Sequence, residues 1–205
     1  MPSDNLQEVR DLWDAEAPTF DEAADHGLRD ATTRAAWREL LLGELPAAPA
    51  RVADLGSGTG TLSLLVAEHG YTVDGVDVSP EMVRLAREKS AGVSGVRFTE
   101  GDASAPPLEA GTYDVVLCRH VLWAMPDPAA ALERWIDLLT PSGRLLLVEG
   151  RWFTGGGLCA DETVALVEQA GRHAELTLLP EAAYWGRAIE DERYLVVSRS
   201  APAQR

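Results

Sequence analysis

Apolar, β-branched runs alternate with amphipathic stretches along the chain. The runs RVADL (51–55), YTVDGVDV (71–78), GVRFTE (95–100), YDVVLC (113–118), GRLLLVEG (143–150), AELTLL (174–179) and RYLVVSR (193–199) predict strands. Helical patterns separate most of them. GTLSLLVAEHG runs to Gly70, a residue suited to the left-handed position that ends a helix. SPEMVRLAREKSA opens with Ser79 as N-cap and Pro80 at the first helical position. DPAAALERWIDLLTPSG sets Ala131, Leu132, Trp135, Leu138 and Leu139 on one face and stops at Pro141 and Gly143. DETVALVEQAG runs from Asp161 as cap to Gly171, and residues 32–45 carry Trp37, Leu40, Leu41 and Leu45 on one side of a further helix.

Strands alternating with helices call for right-handed crossovers and a mostly parallel, doubly wound sheet of about seven strands, covered on both faces. No helical pattern lies between the last two strand candidates, so they are expected to form an antiparallel pair that gives the sheet its antiparallel edge strand. A chain of 205 residues suits one domain. Within it, 1–48 form a helical prefix, 50–150 the core, and 151–205 a loop and the sheet edge. A helical prefix on such a sheet lies over the crevice at the carboxyl ends of the strands, where ligands bind.

Composition narrows the setting. Hydrophobic content of 46% and charged content of 25% are ordinary for a globular protein. Cys118 and Cys159 are too few for a disulfide framework or a zinc site, which points to a reducing, intracellular compartment. No leader pattern and no membrane-length apolar run is present, so a cytoplasmic location is expected. The net charge of −15, without a basic cluster, argues against a nucleic-acid partner.

The chemistry concentrates in VADLGSGTGTLSLL (52–65), with Gly56, Gly58 and Gly60 at alternate positions. Such a turn exposes bare backbone to a ligand, although a ligand-free strand-to-helix turn would use the same glycines. A phosphate loop would end in Gly-Lys-Ser/Thr, and this turn ends in Gly60-Thr61. A dinucleotide site wants a small residue where Thr61 stands. Asp54, two residues before the first glycine, would repel a pyrophosphate and suits an ammonium. Asp77, ending the next strand, is placed to accept hydrogen bonds from a ribose diol. Asp102, after the third strand, can accept from an exocyclic amine. An ammonium, a ribose and an adenine together describe S-adenosylmethionine.

These segments resemble class I S-adenosylmethionine-dependent methyltransferases, of the small kind found in quinone biosynthesis and small-molecule tailoring. VADLGSGTG, GVDVS, EGDA, YDVVLCRHVLW and LLTPSGRLLLVE are similar to that family's successive motifs, over roughly residues 50–150. The resemblance implies a Rossmann-like fold and the methyl donor as cofactor. It also implies Gly56, Ser57, Gly58 and Asp54 at the methionine part and Asp77 at the ribose. Val78, Met82, Asp102 and Ala103 would meet the adenine, and the main chain of Cys118 and Arg119 the sulfonium. In the prefix, WDAEAPTFD resembles the family's lid but carries Trp13 and Phe20 where a tyrosine is often seen. Phe20 has no hydroxyl for the methionine carboxylate, and Arg34 is a substitute.

Methyl transfer requires positioning of two reactants and, for a weak acceptor, removal of a proton. His120, just past the fourth strand, is the candidate base, with His26 of the lid as the second, whereas His69 and His173 read as surface residues. Trp123, Trp152 and Phe153 are candidates to wall an apolar acceptor pocket, and TGGGL (154–158) to form a mobile loop beside it. CRHVLW lacks the aspartate of a magnesium-dependent enzyme at that place, so no metal is expected, and the acceptor is a small molecule. A cyclase-like enzyme or a cofactor-sensing protein would share the same binding motifs. The acceptor atom and the oligomeric state are not written in these residues.

Overall fold

The structure, a computed structural model, describes residues 6–200. Its centre is a seven-stranded sheet of β1 (Arg51–Leu55), β2 (Thr72–Asp77), β3 (Val96–Glu100), β4 (Tyr113–Arg119), β5 (Leu139–Arg151), β6 (Arg172–Leu178) and β7 (Glu192–Ser200), in the order β3-β2-β1-β4-β5-β7-β6. β1 to β5 pair in parallel. β7 runs antiparallel to both β5 and β6. The antiparallel pair expected at the sheet edge is β7 with β6, and β7 inserts between β5 and β6.

Both faces of the central strands are buried, which is why these strands read as continuous apolar runs rather than alternating ones. Ala53, Val116, Cys118, Leu145 and Leu147 point to one face, where α6 (Pro128–Asp137) and α7 (Ala160–Gln169) pack. Val52, Val115, Leu117, Leu146 and Val148 point to the other, under α3 (Ala31–Glu44) and α4 (Thr61–Ala67). Trp37 of α3 and Trp135 of α6 are fully buried, one on each side. Burial of such a side chain contributes several kcal/mol, roughly 25 cal/mol per Å² removed from water.

The caps follow the sequence with two corrections. Ser79 starts α5 (Pro80–Lys89) and its hydroxyl accepts from the Met82 N–H at 3.0 Å. Gly70 takes its expected left-handed conformation, with φ +89°. The fourth-to-fifth strand helix is shorter than its apolar face, since α6 stops at Asp137 and Leu139 already belongs to β5. Leu139 pairs with Tyr113, and the register then shifts so that Arg144 meets Val115, which carries the chain past Pro141. α7 starts earlier than Asp161, at a Cys159 cap whose N–H donates to Glu162 Oε2 at 2.8 Å. The acid three residues into the helix satisfies that donor, so the cap shifts upstream.

The prefix is helical, with α1 (Leu6–Glu16), a 3-10 turn at Ala17–Glu22, the short α2 (Ala24–Gly27) and then α3. The segment between β6 and β7 holds one more short helix, α8 (Ala182–Trp185), whose Trp185 is buried against Trp37.

Candidate functional site

The carboxyl ends of β1 to β4 open on a cavity of about 360 Å³, roofed by Leu6, Val9 and Trp13 of α1 and by Phe20 and His26. At its floor the chain turns out of β1 through Gly56, Gly58 and Gly60, all with positive φ. Gly56 is required twice over, because its φ is +68° and a Cβ there would sit 2.2 Å from Val121 Cγ2. A Cβ on Gly58 would come 3.1 Å from the Phe20 ring, so the lid aromatic lies over bare backbone.

Three carboxylates surround this turn. Asp54 is almost fully buried and accepts from Ser63 Oγ at 2.5 Å. Burial pushes its carboxyl up to about 6, although the Ser63 hydroxyl and the Arg119 cation oppose the rise. Asp77 accepts from the Gly58 N–H at 2.7 Å and the Ser79 N–H at 2.9 Å, so it shapes the turn from the next strand. Its carboxyl is also raised, by burial first, with those two N–H groups pulling down. Asp102 accepts from the backbone N–H and hydroxyl of Ser104, both at 2.7 Å. Val78, Met82 and Ala103 line the wall between Asp77 and Asp102.

The far wall grows from the end of β4. Arg119 lines the cavity, donates from Nη1 to the Asp25 carbonyl, and lies 5.2 Å from the Trp37 ring centroid. His120 follows with φ +60°, a left-handed conformation that a β-carbon disfavours. Its N–H donates to Val148 O at 2.8 Å. Its ring stacks on Trp185 at 5.9 Å and meets Trp152 edge-on at 5.2 Å. Burial holds its imidazole well below the usual range, helped by the Arg119, Arg193 and His26 charges. Nε2 is buried without a hydrogen-bond partner among the described residues. His26 stacks on Phe20 at 4.2 Å and is lowered in the same sense, first by burial and then by Arg119. Trp123 and Trp152 meet at 5.3 Å, and both line the cavity.

Several expectations need correction. For Cys118 the expectation concerned the main chain; its side chain turns under the sheet by alternation along β4, fully buried with its sulfur 3.9 Å from Glu149 Oε1. Arg34 pairs with Glu68 at 2.6 Å at the surface and is not on the lining. Phe153 is 88% exposed and walls nothing. The glycines after it form a closed turn, with Trp152 N–H donating to Gly156 O at 2.9 Å and Gly155 N–H to Trp152 O at 2.8 Å. As expected, His69 and His173 lie away from the cavity, His69 donating from Nδ1 to Leu65 O at 2.9 Å and His173 standing by Glu175. Among the described residues no cluster of His, Cys, Asp or Glu could hold a metal ion. No helix among them is long and apolar enough to cross a membrane.

Residues 53–147 match a family described as methyltransferase domain. A ubiquinone biosynthesis O-methyltransferase of Xanthomonas axonopodis pv. citri is 36% identical over 138 residues, 66% of this chain and 54% of that protein. A demethylmenaquinone methyltransferase of Deinococcus radiodurans is 33% identical over 150 residues, 71% of this chain and 61% of that protein. The chain belongs to the class I S-adenosylmethionine-dependent methyltransferases.

The matched segments span somewhat over half the length of these relatives. The methyltransferase fold extends further than the sequence match. The [4+2]-cyclase SpnF superposes with a TM-score of 0.80 over 98% of both chains at 20% identity. YcgJ of Bacillus subtilis superposes with 0.67 over 82% of this chain and 100% of its own at 18% identity. Both likenesses are of fold.

Within this methyltransferase fold, motif reasoning passed over Glu149. It is fully buried in β5, and its Oε1 accepts from the Val121 N–H at 3.0 Å and the Leu122 N–H at 2.8 Å. It thereby fixes the turn that presents His120. A carboxylate at the end of the apolar run LLLVEG was the available signal, since a buried acid needs donors. Arg193 is the second omission. It lies between Trp152 and Trp185, 5.0 and 5.4 Å from their centroids, and pairs with Asp191 at 3.1 Å.

Proposed function

We propose that this protein transfers a methyl group from S-adenosylmethionine to a small-molecule acceptor, and that it works in the cytoplasm. The observation that carries the reading is the order of side chains around one cavity: Asp102, Asp77 and Asp54 beside the glycine turn, then His120 with a bare Nε2. The donor set fits the cofactor. Carboxylates and open backbone suit hydroxyls, an amine and a cation, and would repel a pyrophosphate. Asp54 would hold the ammonium, Asp77 the ribose and Asp102 the adenine amine, with Gly56, Ser57 and Gly58 along the methionine part and Val78, Met82 and Ala103 against the base. When bound, the cofactor supplies a methyl group on a sulfonium, an electrophile open to in-line displacement.

The chain supplies position and proton removal. Trp123 and Trp152 hold an apolar acceptor beside His120, and Trp13, Phe20 and His26 cover it from the lid. His120, neutral because burial and two guanidiniums depress its pKa, takes the acceptor proton on Nε2. Glu149 keeps the imidazole aimed through the two backbone N–H groups it accepts. On this reading residues 1–48 act as the lid, 50–150 as the cofactor-binding core, and 151–205 as the substrate-side loop and sheet edge of one domain.

The test is direct. The protein is incubated with S-adenosylmethionine and a panel of phenols, enols, amines and thiols, and S-adenosylhomocysteine is measured by mass spectrometry. Acceptor-dependent formation of S-adenosylhomocysteine supports the proposal. Tight cofactor binding with no turnover on any acceptor class would place the protein among non-methylating users of this fold.

A further inference from the structure

We infer that Arg119 binds the carboxylate of the cofactor's amino-acid group, opposite the Asp54 that takes its ammonium. The inference rests on the cofactor reading above and adds a residue whose side chain that reading leaves idle.

The sheet order itself lays out the site. β3, β2, β1 and β4 are consecutive neighbours, and their carboxyl ends present Asp102, Asp77, Asp54 and Arg119 in that order. Asp54 of β1 pairs with Leu117 of β4, so Arg119, two residues on, leaves β4 on the same face as Asp54 and about 6–7 Å further along the strand. Adjacent strands lie about 4.8 Å apart, and each group feels the other's charge. Three acids are followed by one cation along a line. A ligand whose base and ribose meet the first two acids brings its amino-acid end between Asp54 and Arg119, a zwitterion against an anion and a cation.

Arg119 is also short of partners. Its pKa is lowered by burial, and its one hydrogen bond goes to a neutral carbonyl, Asp25 O. Among the described residues it forms no ion pair, in a chain with 33 acids against 18 lysines and arginines. Other nearby cations are committed: Lys89 to Asp21, Arg10 to Glu100 and Arg34 to Glu68. No other lysine or arginine of the described residues lines the cavity. Asp25, Asp54 and Asp21 act on this buried guanidinium only through space, and a ligand carboxylate in the cavity would make the direct contact that none of them makes. Phe20 offers no hydroxyl for that carboxylate, and of the polar side chains on the lining Arg119 is the one that brings a guanidinium to it.

Calorimetry on the full chain tests this with three ligands. S-adenosylhomocysteine carries the whole amino acid, its decarboxylated analogue lacks only the carboxylate, and 5′-methylthioadenosine lacks the amino acid altogether. Arg119→Met should weaken S-adenosylhomocysteine binding by about 10–100-fold, as expected for loss of charge-assisted hydrogen bonds. It should change methylthioadenosine binding by less than about threefold. In the wild-type protein the decarboxylated analogue should bind at least about tenfold more weakly than the parent, which keeps the test alive if the variant fails to fold. Equal affinity of those two ligands, or equal losses for all ligands in Arg119→Met, would overturn the assignment. A wild-type protein that binds none of the three would instead sink the cofactor reading.

Discussion

Asp21 Oδ2, in the 3-10 turn after α1, lies 2.6 Å from Lys89 Nζ at the end of α5. Around the pair, Lys89 also donates to the Thr59 and Thr61 hydroxyls at 2.9 Å, and Thr59 donates to Asp21 Oδ1 at 2.5 Å. A second tie joins Asp14 of α1 to the Ser79 hydroxyl and to the Glu81 N–H at 3.1 Å. The N-terminal segment, the lid of the proposed reading, is thus fastened to the glycine turn and to α5 by polar contacts that water can replace. Lys89→Met should raise hydrogen exchange in residues 17–27 and speed S-adenosylhomocysteine release several-fold. The melting temperature should barely move, because half-exposed pairs contribute about 0.2–1 kcal/mol. Unchanged exchange in that segment would show that the pair does not fasten the lid.

Asp77 shapes the turn and, on the proposed reading, also holds the ligand's ribose, so its removal should have two consequences. Asp77→Ala strands the Gly58 and Ser79 N–H groups, costing about 1–3 kcal/mol each where no water reaches them. It should lower both the melting temperature and the affinity for S-adenosylhomocysteine. Asp77→Asn keeps one carbonyl oxygen as acceptor and should recover part of the stability but little of the affinity. If calorimetry shows full affinity in Asp77→Asn, the ribose contact is not charge-assisted.

Glu149 makes stability depend on pH. Burial raises its carboxyl to about 8 from 4.5, so the folded protein keeps a proton that the unfolded chain releases. Stability from this group is full at low pH and is lost as pH rises toward 8. Below about 6.5 the depressed His26 and His120 act in the opposite sense, since the unfolded chain takes up their protons. Between pH 6.5 and 8, urea melts should therefore show a fall of about 1–2 kcal/mol. Glu149→Gln should flatten that slope while keeping the acceptor for Val121 and Leu122. Parallel slopes in the two proteins would contradict it.

Asp54 sets the pH range of binding. Its carboxyl, near 6 in the ligand-free protein, must be charged to hold an ammonium. Affinity for S-adenosylhomocysteine should be full above pH 7 and decline as pH falls through 6. The Ser63 hydroxyl holds this pKa down, so Ser63→Ala should move the midpoint of that decline upward. A midpoint that stays in place would mean Asp54 is not the group being titrated.

His120→Asn should cut turnover on a weakly acidic hydroxyl acceptor by about 10²–10⁴-fold. Affinity for S-adenosylhomocysteine should stay within about threefold, since the imidazole faces the acceptor side. Because the pKa of His120 lies well below the usual histidine range, the wild-type rate should lose its base only well under pH 6.5. Retained turnover in His120→Asn would leave the protein as a positioning enzyme.

Local chemistry made much of this protein legible in one dimension. Burial on both faces wrote β1, β2, β4 and β5 as apolar runs, and Ser79-Pro80 and the alternate glycines marked where strands give way to helices. Each of those signals acts within a few residues, so the chain states it directly. The three acids could be placed because each lies within two residues of the end of its strand, Asp54 in β1, Asp77 at the end of β2 and Asp102 just past β3. Tertiary structure decided what depends on pairing across distance. It chose Arg119 over Arg34 for the cavity, because Glu68 claims Arg34 at the surface while β4 leaves Arg119 beside Asp54. It put Glu149 under the His120 turn through strand pairing that sets Arg119 against Val148. It turned Phe153 to solvent and Trp152 inward, although the two are neighbours in sequence. Which charge meets which, and which ring is covered, depends on the neighbours that strand order supplies, and those lie tens of residues away.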